Sequence, residues 1–181
     1  MQHKKEYFSQ IGSTYYAENF ITNHLELYRL LVDKIDWDSS MKSRNTSSFG
    51  KAYNYSNISY RYRDFIPEIK DMIDAVGSIV GYCSNNCLVN YYLDGNSSMG
   101  YHSDEVSCLK ESTGIAIISL GQTRTISFKN IKNPDLILDL ELRSGSLFYM
   151  GQDVQKEWKH AILKSETKEG RISLTFRSLV D

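Results

Sequence analysis

The chain has little of what staples, anchors or exports a protein. Three cysteines in 181 residues, Cys83, Cys87 and Cys108, are an odd count in a chain long enough to bury a core unaided. They read as reduced thiols of a cytosolic protein, or a nuclear one in a eukaryote, and not as a disulfide framework. Cys83 and Cys87 have the spacing of half a structural zinc site, but no second Cys/His pair completes it. No apolar run approaches the ~20 residues of a membrane helix, and the opening Met-Gln-His-Lys-Lys-Glu-Tyr lacks the apolar core of a secretory signal. Internal repeats, low-complexity tails and an evident linker are also missing. Together these absences leave one soluble domain over 1–181, expected as a monomer and away from membranes.

Charge of either sign is nearly balanced, at a formal −1, yet its distribution is uneven. Between Ser39 and Arg63 stand five basic residues (Lys42, Arg44, Lys51, Arg61, Arg63) and no acidic one, so the remainder carries a formal −6. Phe49, Tyr53, Tyr55, Tyr60 and Tyr62 interleave those cations. Cations alternating with flat rings are what holds phosphates and stacks bases. A solvated loop with a few core tyrosines has the same composition. Residues 1–63 therefore read as an N-terminal and recognition region ahead of a core over 64–181.

Two amphipathic helices are legible. Residues 22–36, with Thr22 as the expected cap, place Leu25, Tyr28, Leu31, Val32 and Ile35 on one stripe. Residues 67–80 open on Pro67 in the first turn and repeat Ile69, Met72, Ile73, Val76, Ile79 and Val80 at helical spacing. From residue 88 the chain breaks into short strands: Leu88–Leu93, Gly114–Leu120, Arg124–Phe128, Leu136–Leu142, Ser146–Met150, Lys159–Leu163 and Arg171–Arg177. Many short strands separated by turns predict a mainly β, α+β fold of sandwich or jelly-roll type.

Alternation along Arg171-Ile-Ser-Leu-Thr-Phe-Arg177 puts Ile172, Leu174 and Phe176 on one face, and Arg171, Ser173, Thr175 and Arg177 on the other. The polar face suits either water or a polar cavity, and an arginine fork is well matched to a carboxylate. In strand 88–93, Asn90 and Tyr92 share a face in the same way. His102-Ser103-Asp104 places an imidazole and a carboxylate two residues apart, on one face if that segment is extended. His160 follows 56 residues later. Two histidines and one carboxylate around open positions form the facial triad of non-haem iron oxygenases. His3 and His24 lie outside the strand region and are assigned no role.

In combination, the segments Leu88–Glu105, Gly114–Phe128, Leu142–Met150, Trp158–His160 and Arg171–Arg177 resemble the AlkB family of iron(II)- and 2-oxoglutarate-dependent dioxygenases. The resemblance covers roughly residues 44–178. It implies a double-stranded β-helix with the N-terminal helices packed on one sheet, and Fe(II), 2-oxoglutarate and O2 as cofactor and co-substrates. It implies His102, Asp104 and His160 as iron ligands. Arg171, assisted by Tyr92 and Asn90, would take the distal carboxylate of 2-oxoglutarate, with Arg177 near the other carboxylate and Thr175 lining the pocket. Arg44, Phe49-Gly50, Tyr53 and Tyr55 resemble the recognition region of members that oxidatively demethylate 1-methyladenine and 3-methylcytosine, with release of formaldehyde. There Tyr55 and His102 would sandwich the flipped base, Tyr53 would face the pocket, and Glu105 is the candidate carboxylate for a cationic base. The implied partner is alkylated nucleic acid, DNA before RNA. Val106 in place of a second acid, and Ser43 where proline is usual, keep open RNA, protein or small-molecule substrates for the same chemistry. A jelly roll that binds without catalysis is the remaining alternative.

Overall fold

The structure, a computed structural model, describes residues 5–6, 8–53, 60 and 62–180. In chain order its elements are β1 (Lys5–Glu6), β2 (Thr14–Ala17), α1 (His24–Lys34), β3 (Asn45–Gly50), α2 (Pro67–Val80), β4 (Asn86–Tyr92) and β5 (Met99–His102). They continue with β6 (Ile115–Gly121), β7 (Arg124–Asn130), β8 (Ile137–Leu142), β9 (Leu147–Met150), α3 (Gln152–Glu157), β10 (Trp158–Ile162) and β11 (Arg171–Arg177).

Two antiparallel sheets face one another. The larger runs β1-β2-β9-β6-β11-β4-β3 and the smaller β5-β10-β7-β8. From β4 onward the chain switches between sheets at every connection except the β7–β8 hairpin, which winds β4–β11 into a double-stranded β-helix. β1, β2 and β3 extend the larger sheet at its edges.

The central strands of the larger sheet, β4, β6 and β11, are buried on both faces. Toward the outside, Phe49, Val89, Ile118, Leu120, Leu174 and Phe176 meet Leu31 and Ile35 of α1 and Ile69, Met72 and Val76 of α2. Toward the inside, Leu88, Ile115, Ile117 and Phe148 meet Ile126, Phe128, Leu142 and Ile162 of the smaller sheet. The helices pack on one sheet as expected because their apolar stripes match its outer face. Burying one such Leu or Phe contributes roughly 1.5–3 kcal/mol.

The helix boundaries follow from local chemistry with one correction. Pro67 occupies the first turn of α2, where its missing N–H costs nothing, and Gly81 (φ 84°) ends the helix in the left-handed conformation. α1 starts at His24 behind Asn23, not at the expected Thr22, and no side chain caps it. β1, β2, β3, β5 and α3 were not among the expected elements. Their segments are too short, or too rich in Asn, Thr, Ser and Gly, to display a period. No described helix is long and apolar enough to cross a membrane.

Candidate active site

Strand pairing builds the site from the smaller sheet. β10 lies between β5 and β7, and its register sets His160 directly across from His102. The two imidazole centroids stand 4.3 Å apart. Asp104 corrects one expectation: β5 ends at His102, so the carboxylate comes from an irregular segment beyond the strand and not from its next inward position. It still turns in. One ligand atom from each of His102, Asp104 and His160 lies within 4.8 Å of the others, and Asp104 and His160 are buried.

The ligand orientations are set from outside the triad. His102 Nδ1 sits 2.9 Å from the Gly100 carbonyl, which can only accept, so Nδ1 carries the proton. Nε2 keeps its lone pair, 3.8 Å from Asp104 Oδ1. The other carboxylate oxygen, Oδ2, accepts a hydrogen bond from Arg177 Nη2 at 3.0 Å. Burial alone would raise the Asp104 carboxyl, but Arg177 and the two histidines outweigh it and hold it below the usual carboxylate range. Burial lowers both histidines, with His160 pushed down to about 3 by burial and by the neighbouring His102. At neutral pH the site therefore offers two neutral imidazoles and one carboxylate, the protonation states a divalent metal needs.

Those shifts predict an acid sensitivity in the metal-free protein. Protonation of His160 is suppressed in the fold but free in the unfolded chain, where histidine titrates near 6.5. The unfolded state binds more protons below that pH. Stability is thus fully present above about 6.5 and lost progressively as pH falls toward 3. Melting temperatures of the metal-free protein should fall between pH 7 and pH 5, and His160→Asn should flatten that slope. Parallel slopes would refute the buried neutral imidazole.

The second half of the site comes from the larger sheet. The inner face of β11 carries Arg171, Ser173, Thr175 and Arg177 into the space between the sheets. This decides the alternation in favour of a cavity: every residue of β11 is buried. β4 pairs alongside, placing Tyr92 next to Arg171 and Asn90 next to Ser173. These residues, the triad and Ile117, Ile126 and Leu142 line one cavity.

Arg171 is 1% exposed. Its Nη2 donates to Ser119 Oγ at 2.8 Å, and its Cζ lies 5.3 Å from the Tyr92 ring centroid. Nε and Nη1 have no hydrogen-bond partner, and among the described residues no carboxylate pairs with it. Burial lowers it to about 10, helped by the charge of Arg124, so it remains a cation at neutral pH. Arg177 likewise has Nε and Nη1 without a hydrogen-bond partner, and its Cζ stands 4.4 Å from the Tyr53 ring centroid. A buried cation with spare donors is costly unless something anionic completes it.

The remaining candidates separate by position. Arg44 is buried and donates from Nε to Asn90 Oδ1 at 2.8 Å, so it braces β4 beside the cavity. Tyr53 is buried against Arg177, and Tyr55 lies outside the described residues. Glu105 is exposed, and its Oε1 accepts the Ser107 N–H at 3.0 Å, which holds its carboxyl below the usual range. Sequence reasoning passed over Ser119, which steadies Arg171, and Gln155, whose Oε1 accepts the Asp104 N–H at 2.9 Å. It also passed over Arg124, which ties the carbonyls of Asp94, Ser97 and Leu163 together. Arg124 alone left a signal, a charged residue opening an otherwise inward-facing apolar series.

A double-stranded β-helix with two neutral histidines and a carboxylate between its sheets, beside two buried arginines, is the scaffold of a mononuclear non-haem metal oxygenase. The residues fit the metal and its acidic co-substrate: a ligand-ready donor set, the partnerless buried Nδ1 of His160, and the spare guanidinium donors. The sequence profile of the 2OG-Fe(II) oxygenase superfamily matches residues 4–177, and the chain belongs to that superfamily. Protein R406 of Acanthamoeba polyphaga mimivirus is 33% identical over 117 residues, covering 64% of this chain and 60% of that protein. The DNA oxidative demethylase ALKBH2 of Homo sapiens is 28% identical over 153 residues, covering 80% of this chain and 59% of its own length. The chain thus spans about three fifths of these curated relatives. The structure of OsALKBH1 superposes with a TM-score of 0.68 at 16% identity, covering 97% of this chain and all of the other, so the fold is shared.

Proposed function

We propose that the chain is an iron(II)- and 2-oxoglutarate-dependent dioxygenase that demethylates N-alkylated nucleobases, 1-methyladenine and 3-methylcytosine, in DNA. The observation carrying the oxygenase reading is Arg171, a buried cation with two spare donor groups, set in the same cavity as the triad. The substrate reading rests on the resemblance of the recognition region, on the demethylase named among the relatives, and on the basic, aromatic composition of residues 39–63.

Within this reading His102, Asp104 and His160 would hold the iron, and Arg171 would receive the distal carboxylate of 2-oxoglutarate as a bidentate pair. Tyr92 flanks the Arg171 guanidinium. Asn90 and Thr175 line the cavity wall, and Arg177 fixes the carboxylate rotamer of Asp104 by occupying Oδ2, which leaves Oδ1 toward the histidines. Bound iron with 2-oxoglutarate and O2 supplies the oxidising power that hydroxylates a C–H bond while the co-substrate loses carbon dioxide and becomes succinate. Leu88, Ile117, Ile126 and Leu142 limit water in the cavity, which confines oxidation to what is bound. An N-hydroxymethyl product would then release formaldehyde. Glu105, ionised at neutral pH, is the acid closest in sequence to the triad that a cationic methylated base would meet.

The test is formaldehyde and succinate release from matched DNA and RNA oligonucleotides bearing 1-methyladenine or 3-methylcytosine. Equimolar release, greatest with DNA, is the expected result. Vigorous 2-oxoglutarate consumption with no formaldehyde from any oligonucleotide would sink the nucleobase reading and keep the oxygenase one. Release confined to RNA would move the substrate class. Failure to bind a divalent metal would leave only a binding module.

A further inference from the structure

We infer that Gln155 is a positioning residue for the metal site, fixing the backbone of Asp104 so that its carboxylate is presented to the ion in advance. The inference rests on the metal-site reading above but concerns a residue that supplies no ligand.

Asp104 is the weakly supported member of the triad. His102 and His160 stand on paired strands, where the sheet ladder fixes the main chain. Asp104 has no ladder, since β5 stops two residues before it. Its main chain is held instead by a side chain 51 positions away: the Asp104 N–H donates to Gln155 Oε1 at 2.9 Å. Because an amide N–H only donates, the orientation of the Gln155 carboxamide is determined, and its Nε2 turns toward Met150 Sδ at 3.6 Å. Gln155 is 4% exposed and sits in α3, the short helix that leads directly into β10 and His160. A second tie runs parallel, from Ser103 Oγ to the Trp158 carbonyl at 3.0 Å.

The geometry thus links the segment that bears Asp104 to the segment that launches His160. With the Asp104 main chain pinned by Gln155 and its Oδ2 pinned by Arg177, the carboxylate keeps little rotational freedom and Oδ1 stays beside His102. Removing the pin would let the loop sample positions in which Asp104 and the histidines no longer converge. Such outer partners typically contribute 10–100-fold to metal affinity.

The test compares Gln155→Met, which keeps length and volume but has no oxygen acceptor, with Gln155→Glu, which keeps an acceptor for the Asp104 N–H. Cobalt(II) serves as the probe, followed by its absorption spectrum in the full chain. Melting temperature of the metal-free proteins is measured alongside. Gln155→Met should weaken cobalt(II) binding about 10–100-fold and loosen the coordination spectrum, whereas Gln155→Glu should remain within a few-fold of the parent. If Gln155→Met lowers the melting temperature yet binds cobalt(II) as the parent does, Gln155 is only a packing residue and the inference is overturned. If Gln155→Met fails to fold, Gln155→Glu decides alone, and a loss beyond ~10-fold there overturns it. A parent chain that binds no cobalt(II) would instead sink the metal-site reading itself.

Discussion

His160→Ala is expected to abolish turnover and to cost most of the affinity for a divalent metal. The side chain is one of the three proposed ligands, it is buried, and its position is set by a strand whose register cannot slide without moving the whole smaller sheet. Water entering the vacated space could ligate, but it would not restore a donor held rigidly opposite His102. A substitution near the start of a strand can unfold a chain. Here β10 is clamped between β5 and β7, so a folded variant is expected, with its melting temperature as the check. The control is Lys159→Ala, one position away on the exposed outer face, which should keep full metal binding and turnover. Equal activity in His160→Ala would refute the ligand assignment outright.

Arg171→Met should raise the KM for 2-oxoglutarate by about 10²–10³, while cobalt(II) affinity stays near that of the parent. A buried ion pair deprived of one partner loses roughly 3–5 kcal/mol, and each 1.4 kcal/mol is tenfold. Methionine fills much of the same volume without leaving a charge behind, so the variant should fold. Arg171→Lys keeps the charge but not the planar fork, and it should fall between the two. The split between co-substrate and metal is the informative readout. An unchanged KM would mean that Arg171 is a structural cation satisfied by Ser119 and Tyr92, and a parallel loss of metal affinity would mean that the larger sheet had shifted.

Most of this arrangement was legible in the sequence, for reasons that differ by element. β11 matches its expected bounds because strict alternation continues for seven residues, and α2 matches because Pro67 and Gly81 punctuate it. The triad was legible as residue types, but the route by which Asp104 arrives was not. A carboxylate two residues from a histidine looks like the same strand face, whereas the chain leaves the strand and is held by Gln155 and Arg177. Arg44 shows the opposite limit. The family resemblance offered it as a substrate contact, and its bond from Nε to Asn90 Oδ1 left no trace in the sequence. Partners of this kind, 46 or 51 positions apart in the chain, leave no local pattern to read.

The two histidines and the two arginines belong to different plates of the molecule. The histidines ride on β5 and β10, both arginines on β11, and the hydrogen bond from Arg177 ties β11 to the Asp104 segment that follows β5. A site in such a frame sits at a joint. Stiffness within either plate does little for it, because what must hold constant is the gap. The apolar residues filling that gap, Ile117 and Phe148 against Ile126 and Phe128, are therefore shims: they set how far His102 and His160 stand from the two arginines.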